Sequence, residues 1–376
     1  MGTSAEEGTS ELNLSRLRAQ LLSGPRGTKV EDVVERILAV QAQDLRGARL
    51  AVRARSVGLC AADVDRALTS DRSVVRTWLN RGTLHLVAAA DYWWLQALTT
   101  PPLATVNARR LGQEGVSPPA AERGVEEVER ALAEAGPLTR GQLRERLAAA
   151  GVPVAGQALV HILMLSALRG LTVRGPMVGT EQAFVRVPDW LGRPARLPDR
   201  DEALGLLCRR YLLGHSPATE RDLATWSGLP LRDVRAGMQV ARDDIEPLGD
   251  GQVRHVQAPV ADVLPPPRLL GAFDPLLHGW VSREPVLAGN VGLVVDHGIF
   301  RPFALVHGRG AATWTIRSGR VLLDPFAEIS ATDALALARD AEDVLRFLGR
   351  SGGTAATAPA AAEPRQRSYW PRTTTA

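Results

Sequence analysis

VVRTWLNRGTLHLVA, residues 74–88, alternates apolar and polar side chains and breaks once, at Asn80-Arg81-Gly82. Period-two alternation interrupted by a glycine-bearing break predicts two antiparallel strands joined by a tight turn. What precedes it reads as helical. Val30, Val33, Val34, Ile37, Leu38 and Val40 follow the 3.6-residue period, which predicts an amphipathic helix over 29–40. LRGARLAVRARSVG continues the helical pattern and closes on Gly58, and AADVDRALTS (61–70) predicts a third helix. A short helix is expected earlier, over 14–22, ended by GPRG at 24–27. Helices followed by a hairpin is the order of a winged helix.

The same order returns twice. Thr139 is placed to cap RGQLRERLAAA, Gly151 makes a turn, residues 154–169 form a helix, and 171–187 read as a hairpin. Then ATERDLATWSG (218–228), a turn containing Pro230, a helix over 231–241 and a wing near 244–258 make a third copy. The spacing is irregular, so the repetition is structural rather than a strict sequence repeat. From Arg254 the chain changes to short strands with turns, which predicts a small β-domain, a partial barrel, closed by a helix over 331–349. The expected class is α+β: three tandem winged-helix units, a C-terminal β-domain and a terminal helix. The boundaries are 1–12 unordered, 13–100, 101–190 and 191–258 for the three units, 259–349 for the β-domain and helix, and 350–376 as a low-complexity, unordered tail.

Composition sets the outer limits. A chain of 376 residues that is 45% hydrophobic has material for roughly two or three domains. Nothing in it reaches the length of about 18 apolar residues that a membrane span needs. The polar, acidic start MGTSAEEGTSELN is unlike a signal peptide, and the two isolated cysteines, Cys60 and Cys208, fit a reducing, cytoplasmic setting; nucleoid association is expected only if the partner is DNA. Net charge is +4, which permits a nucleic-acid partner without demonstrating one. Lys29 is the single lysine among 45 basic residues. The seven histidines show no metal-binding spacing, and no phosphate-binding glycine loop follows a strand, so neither metal nor cofactor is expected.

AVQAQD, residues 39–44, places Gln41 and Gln43 one residue apart between a periodic segment and an Arg-rich one. The plain reading is a polar helix end; the chemical reading is a pair of amides holding one water. QAQD, the hairpin RTWLNRGTLHLV (76–87) and the separated motifs LLGAFDPLLHGW and GIFRPFALVHGRGAATW (within 269–314) resemble the winged-helix DNA glycosylases of the AlkZ type, over roughly residues 14–349. The resemblance implies tandem winged helices and a β-domain around a DNA channel. It also implies excision of bulky N7-alkylated guanines, unhooking of interstrand crosslinks in some members, and often self-resistance to a DNA-alkylating natural product. Gln41 and Gln43 match the family's catalytic pair. A related branch typified by YcaQ has Asp at the second position, so Gln43 places this chain with the AlkZ branch.

Two amides can suffice for that chemistry. Glutamine takes up no proton at neutral pH but can orient a water. An N7-alkylguanine is cationic and leaves as a neutral base, so an oxocarbenium-like transition state needs a positioned water more than an activated one. Residues i and i+2 share a side in an extended segment and not on a helix, so the helix must end at or just after Val40. Asp44 is read as N-cap of the next helix, with a base or cation-stabilising role as the alternative.

Arg81 at the wing tip is a candidate phosphate contact. His85 is a candidate DNA contact or site-shaping residue, with a locally satisfied hairpin histidine as the alternative. By the family resemblance, the hairpin over 291–305 faces the DNA channel, making His297 and Arg301 candidate DNA contacts; a surface turn is the alternative. Asp274 and Asp324 before proline read as Asx-turn aspartates, and Trp93 and Trp94 as core residues. The function expected is a monomeric, cofactor-free, monofunctional glycosylase acting on double-stranded DNA. A non-enzymatic winged-helix regulator is the rival, since the fold more often regulates than catalyses.

Overall fold

The computed structural model describes residues 3–179, 181–194, 196–259, 263–350 and 356–357, with the side chains of 3–10 and of 356–357 outside that description. The chain begins with α1 (Thr3–Ala19), α2 (Val30–Ile37), β1 (Val40–Gln41), α3 (Leu45–Arg55) and α4 (Ala61–Thr69), then the hairpin β2 (Val74–Leu79) and β3 (Thr83–Ala88). Helices α5 (Ala89–Thr99) and α6 (Pro101–Gln113) lead to α7 (Pro118–Ala135), α8 (Arg140–Ala149), α9 (Ala158–Leu168) and the hairpin β4 (Thr172–Val178) and β5 (Glu181–Arg186). Next come α10 (Val187–Leu191), α11 (Arg200–His215), α12 (Glu220–Ser227), α13 (Leu231–Val240), β6 (Ile245–Gly249) and β7 (Gln252–His255). The last part holds β8 (Arg268–Leu270), α14 (Glu284–Leu287), α15 (Val291–Val294), β9 (Val295–Asp296), β10 (Ile299–Phe300), β11 (Phe303–Val306), β12 (Arg309–Arg317), β13 (Arg320–Pro325), α16 (Ala331–Phe347) and β14 (Ala356–Thr357).

Two hairpins that the sequence presents as parts of separate units share one sheet. Its order is β1-β3-β2-β4-β5, with β2 and β4 joined through the Arg76–Arg174 register pair. The C-terminal sheet, β14-β13-β12-β11-β8, is open, so no barrel closes around it. Helix α1 reaches back to Thr3, so the described residues of the expected unordered start are helical. The expected tail lies outside the described residues apart from Arg350 and Ala356–Thr357, the latter pairing parallel with Leu322–Leu323. No helix of the described residues is long and apolar enough to cross a membrane.

Helix α2 shows how the fold places the amide pair. Val30, Val33, Val34 and Ile37 form its buried face, each contributing roughly 1.5–3 kcal/mol by leaving water. The helix stops at Ile37 because Leu38 turns to φ 66°, a conformation that only dense surroundings impose on a branched residue. Leu38 is fully buried. Helix α11 closes on the same point: a Cβ on Gly214 would lie 2.1 Å from the carbonyl oxygen of Arg36, so only glycine allows this approach. The chain then extends, and Val40 and Gln41 pair with Leu86 and His85 of β3.

Candidate active site

Gln41 lies in β1 with 7% of its surface exposed, and its Oε1 is buried without a hydrogen-bond partner. A buried acceptor left unmet costs about 1–3 kcal/mol in a folded protein, so Gln41 Oε1 is free to accept from a small donor such as water. The Ala42 N–H donates to the Leu84 carbonyl at 2.7 Å, continuing the pairing with β3. Gln43 is exposed, and its Oε1 accepts from the Leu84 N–H at 3.3 Å. The segment is therefore extended from Val40 through Ala42, with the helix ended earlier than the expected Val40. Asp44 caps α3, its Oδ1 accepting from the Arg46 N–H at 3.0 Å.

His85 stands opposite Gln41 on β3 and opposite Thr77 on β2. Its Nδ1 is 3.0 Å from the Thr83 carbonyl. Burial, with a smaller push from Arg81, lowers its pKa to about 3, so its ring is neutral at physiological pH. His85 is satisfied locally, as the alternative reading expected, and it is buried beside Gln41 in the sheet.

Arg81 has a different setting from a free wing tip. It keeps solvent exposure, yet its Nη1 donates to the carbonyls of Thr225 and Trp226 at 2.9 and 3.0 Å. These belong to the C-terminal end of α12, where unpaired carbonyls attract cations. Gly228, the left-handed cap of α12, packs against the Arg81 backbone, so the turn at 80–82 is docked rather than projecting.

His297 and Gly298 form the tip between β9 and β10, the His297 side chain being 95% exposed. The hairpin is shorter than expected because Val291–Val294 is a helical turn and β11 belongs to the larger sheet. Arg301 is exposed, with its Nη2 4.0 Å from Asp296 Oδ2. The hairpin is anchored through Phe300, whose ring lies 4.1 Å from that of His278 and 5.4 Å from that of Phe273. His278 belongs to this cluster and feels the charge state of His85 on β3 through space. Burial holds its pKa well below the ordinary histidine value, with Arg81, Arg283 and His85 adding to the effect, and its Nε2 is buried and unpartnered. Sequence reading quoted LLHGW without singling out His278.

Two quoted motifs meet backbone to backbone. A Cβ on Gly47 would fall 2.2 Å from the Ala272 carbonyl oxygen, and one on Gly271 would fall 2.9 Å from the Gly47 carbonyl oxygen. Thus the start of α3, just after the amides, rests on GAFDP. Asp274 of that segment caps the turn at Pro275–Leu277, as the Asx reading expected, and also forms a fully buried ion pair with Arg55. Asp324 instead lies within β13, paired with Thr313. Trp94 is core, its indole N–H donating to Asp91, and Trp93 packs against that core. Among the described residues no group of His, Cys, Asp and Glu is arranged to hold a metal ion, and Cys60 and Cys208 are free thiols.

The arrangement offers a buried amide, a neutral imidazole and nearby cations, with no carboxylate among the hydrogen-bond partners of the pair. It can orient a water; the histidine beside it holds no proton to give at neutral pH. A model of the family described as "DNA glycosylase AlkZ-like" matches residues 34–347. An "Interstrand DNA cross-link repair glycosylase" from Streptomyces sahachiroi is 29% identical over 362 residues, covering 89% of this chain and 95% of the relative. The solved structure of the Streptomyces sahachiroi DNA glycosylase AlkZ superposes with a TM-score of 0.78 at 25% identity, over 93% of this chain and 99% of that one. The chain belongs to the AlkZ-like DNA glycosylase family.

Proposed function

We propose that this glycosylase hydrolyses the N-glycosidic bond of N7-alkylated guanines, bulky adducts included, with Gln41 and Gln43 orienting the attacking water. The observation that carries the reading is the buried, unpartnered Oε1 of Gln41 beside a neutral His85. A neutral site suits a cationic leaving base, which departs without protonation. An ordinary guanine would need an acid that this pair does not provide, so selectivity follows from the substrate's own charge. Unhooking of crosslinks belongs to the same reading, since the Streptomyces sahachiroi relative is named for cross-link repair. A role in self-resistance to an alkylating natural product fits that substrate class.

Each helix-and-hairpin segment is read as a winged helix, three in tandem, acting on double-stranded DNA as a monomer. Arg81, His85, His297 and Arg301 are the proposed DNA-facing residues, with Arg301 and His297 the more available because His85 is buried and the Arg81 guanidinium is held by the end of α12. The regulator reading gives way to the family assignment. The test is release of free base from duplexes carrying N7-methylguanine, a bulkier N7 adduct and an N7–N7 crosslink. Release from the cationic adducts with none from undamaged guanine supports the proposal; equal release from a neutral lesion and a cationic one would overturn it.

A further inference from the structure

Arg76 was not among the residues that sequence reading selected, yet it grips the amide segment directly. Its Nε donates to the Ala42 carbonyl at 2.9 Å, its Nη2 to the Gln43 carbonyl at 3.4 Å, and its Nη1 to Gln182 Oε1 at 3.2 Å. It therefore ties the segment holding Gln41 and Gln43 to β5, across the seam between the two joined hairpins. On the neighbouring strand Arg174 stands in register with it. Arg174 lies over the ring of Phe184 at 3.8 Å and of Trp78 at 5.3 Å, and its Nη1 donates to the Gln182 carbonyl at 3.3 Å. Its Nε is buried and unpartnered.

Every acceptor these guanidiniums reach is a neutral oxygen. Like charges facing each other across a strand pair destabilise a sheet. Burial lowers the Arg76 pKa to about 10 and the Arg174 pKa to about 9, with Arg76 itself the next contributor for Arg174. No carboxylate hydrogen-bonds to either cation, although Asp44 near Arg76 and Glu181 near Arg174 act on them through space; with guanidinium N–H groups to spare, the two form a receptor for an oxyanion. Beside the proposed reacting segment of a DNA glycosylase, that oxyanion is a backbone phosphate.

We infer that Arg76 and Arg174 together seat one DNA phosphate, and that Arg76 is the positioning residue through which this engagement sets the Gln41–Gln43 segment. The second half rests on the proposed function; the first does not. A phosphate drawn between the two guanidiniums would fix Arg76, and Arg76 in turn fixes the carbonyls of Ala42 and Gln43. Binding of the strand and placement of the amides are then one event.

The test separates charge from geometry in the full-length protein. Binding to an undamaged duplex is measured over a salt series, and excision from an N7-methylguanine duplex is measured in single turnover at saturating enzyme. Arg76→Gln and Arg174→Gln are each expected to reduce the slope of log affinity against log salt by about 0.9, the share of one phosphate. Arg76→Lys keeps the charge but lacks the fork that spans two carbonyls and an amide. It is expected to keep the wild-type slope while saturated excision falls about tenfold. An unchanged slope in either glutamine variant would overturn the phosphate seat. Wild-type saturated excision by Arg76→Lys would overturn the positioning role. Because the slope is read on undamaged DNA, it stands even if Gln41 and Gln43 prove uninvolved, which the double alanine variant shows separately.

Discussion

Replacing Asp274 by Ala would strand a buried cation. Arg55 and Asp274 are both 0% exposed, joined by bonds of 2.7 and 2.9 Å in the two-pronged geometry. Arg55 also donates to Gln20 Oε1 at 3.0 Å and to the Ala51 carbonyl at 3.1 Å. Asp274 additionally accepts from the Leu276 N–H at 2.9 Å. Removing the carboxylate leaves the guanidinium with neutral acceptors alone, a loss of about 3–5 kcal/mol for a broken buried pair. Loss of the cap to Leu276 adds about 1 kcal/mol. At about 2–4 °C per kcal/mol for a large domain, the melting temperature should fall by on the order of 10 °C. Thermal unfolding followed by circular dichroism, with wild type and variant at equal concentration, reads this directly. The double variant Asp274→Ala, Arg55→Met should recover part of the loss, because no unpaired charge remains. A fall below about 1 kcal/mol for the single variant, or no recovery in the double one, would refute the argument.

Other expectations follow from the same geometry. Gly47→Ala forces a methyl to within 2.2 Å of the Ala272 oxygen, so it should cost about 1–3 kcal/mol by overpacking and lower excision through the displaced start of α3; an unaltered melting temperature would contradict it. His85 and His215 have pKa values lowered to about 3 from 6.5 by burial. The unfolded chain therefore binds protons that the folded one refuses, and stability present above pH 6.5 should be lost as pH falls from 6.5 toward 3. The slope should be up to about 1.4 kcal/mol per pH unit for each histidine, checked by denaturant titrations at a series of pH values and by its reduction in His215→Phe. Lys29 is exposed at the start of α2, the end of that helix away from Gln41, so borohydride should trap no covalent adduct with DNA through Lys29; an adduct abolished by Lys29→Arg would show a lyase function instead.

Much of the fold was readable because the signals were local. The hairpin 74–88 shows in its alternation, Thr139 and Asp44 show as caps, and Asp274 before proline shows as a turn. Helix α11 escaped because its apolar residues serve several faces at once, buried against α1, α2, α5 and α13; α7 was passed over although its buried residues recur at helical spacing. The union of two hairpins into one sheet rests on a single register pair, Arg76 with Arg174, that no local pattern encodes. For the candidate site, the extended backbone around Gln41 was legible from the one-residue spacing of the two glutamines. Arg81 was misread as a projecting tip because its partner, the end of α12, lies 144 residues away in sequence. Arg76, Arg174, Gln182 and His278 were passed over for the same reason: each acquires meaning only from neighbours on other elements.

The central claim is that two neutral amides orient the water that releases a cationic base. Its most direct measurement is single-turnover release of N7-methylguanine from duplex DNA by the Gln41→Ala, Gln43→Ala variant, alongside affinity for the same duplex and a melting curve. The saturated rate should be lower by roughly two orders of magnitude or more, as about 2.7–4 kcal/mol of preorganised stabilisation disappears, with affinity and melting temperature close to wild type. Release by the double variant at the wild-type rate would contradict it.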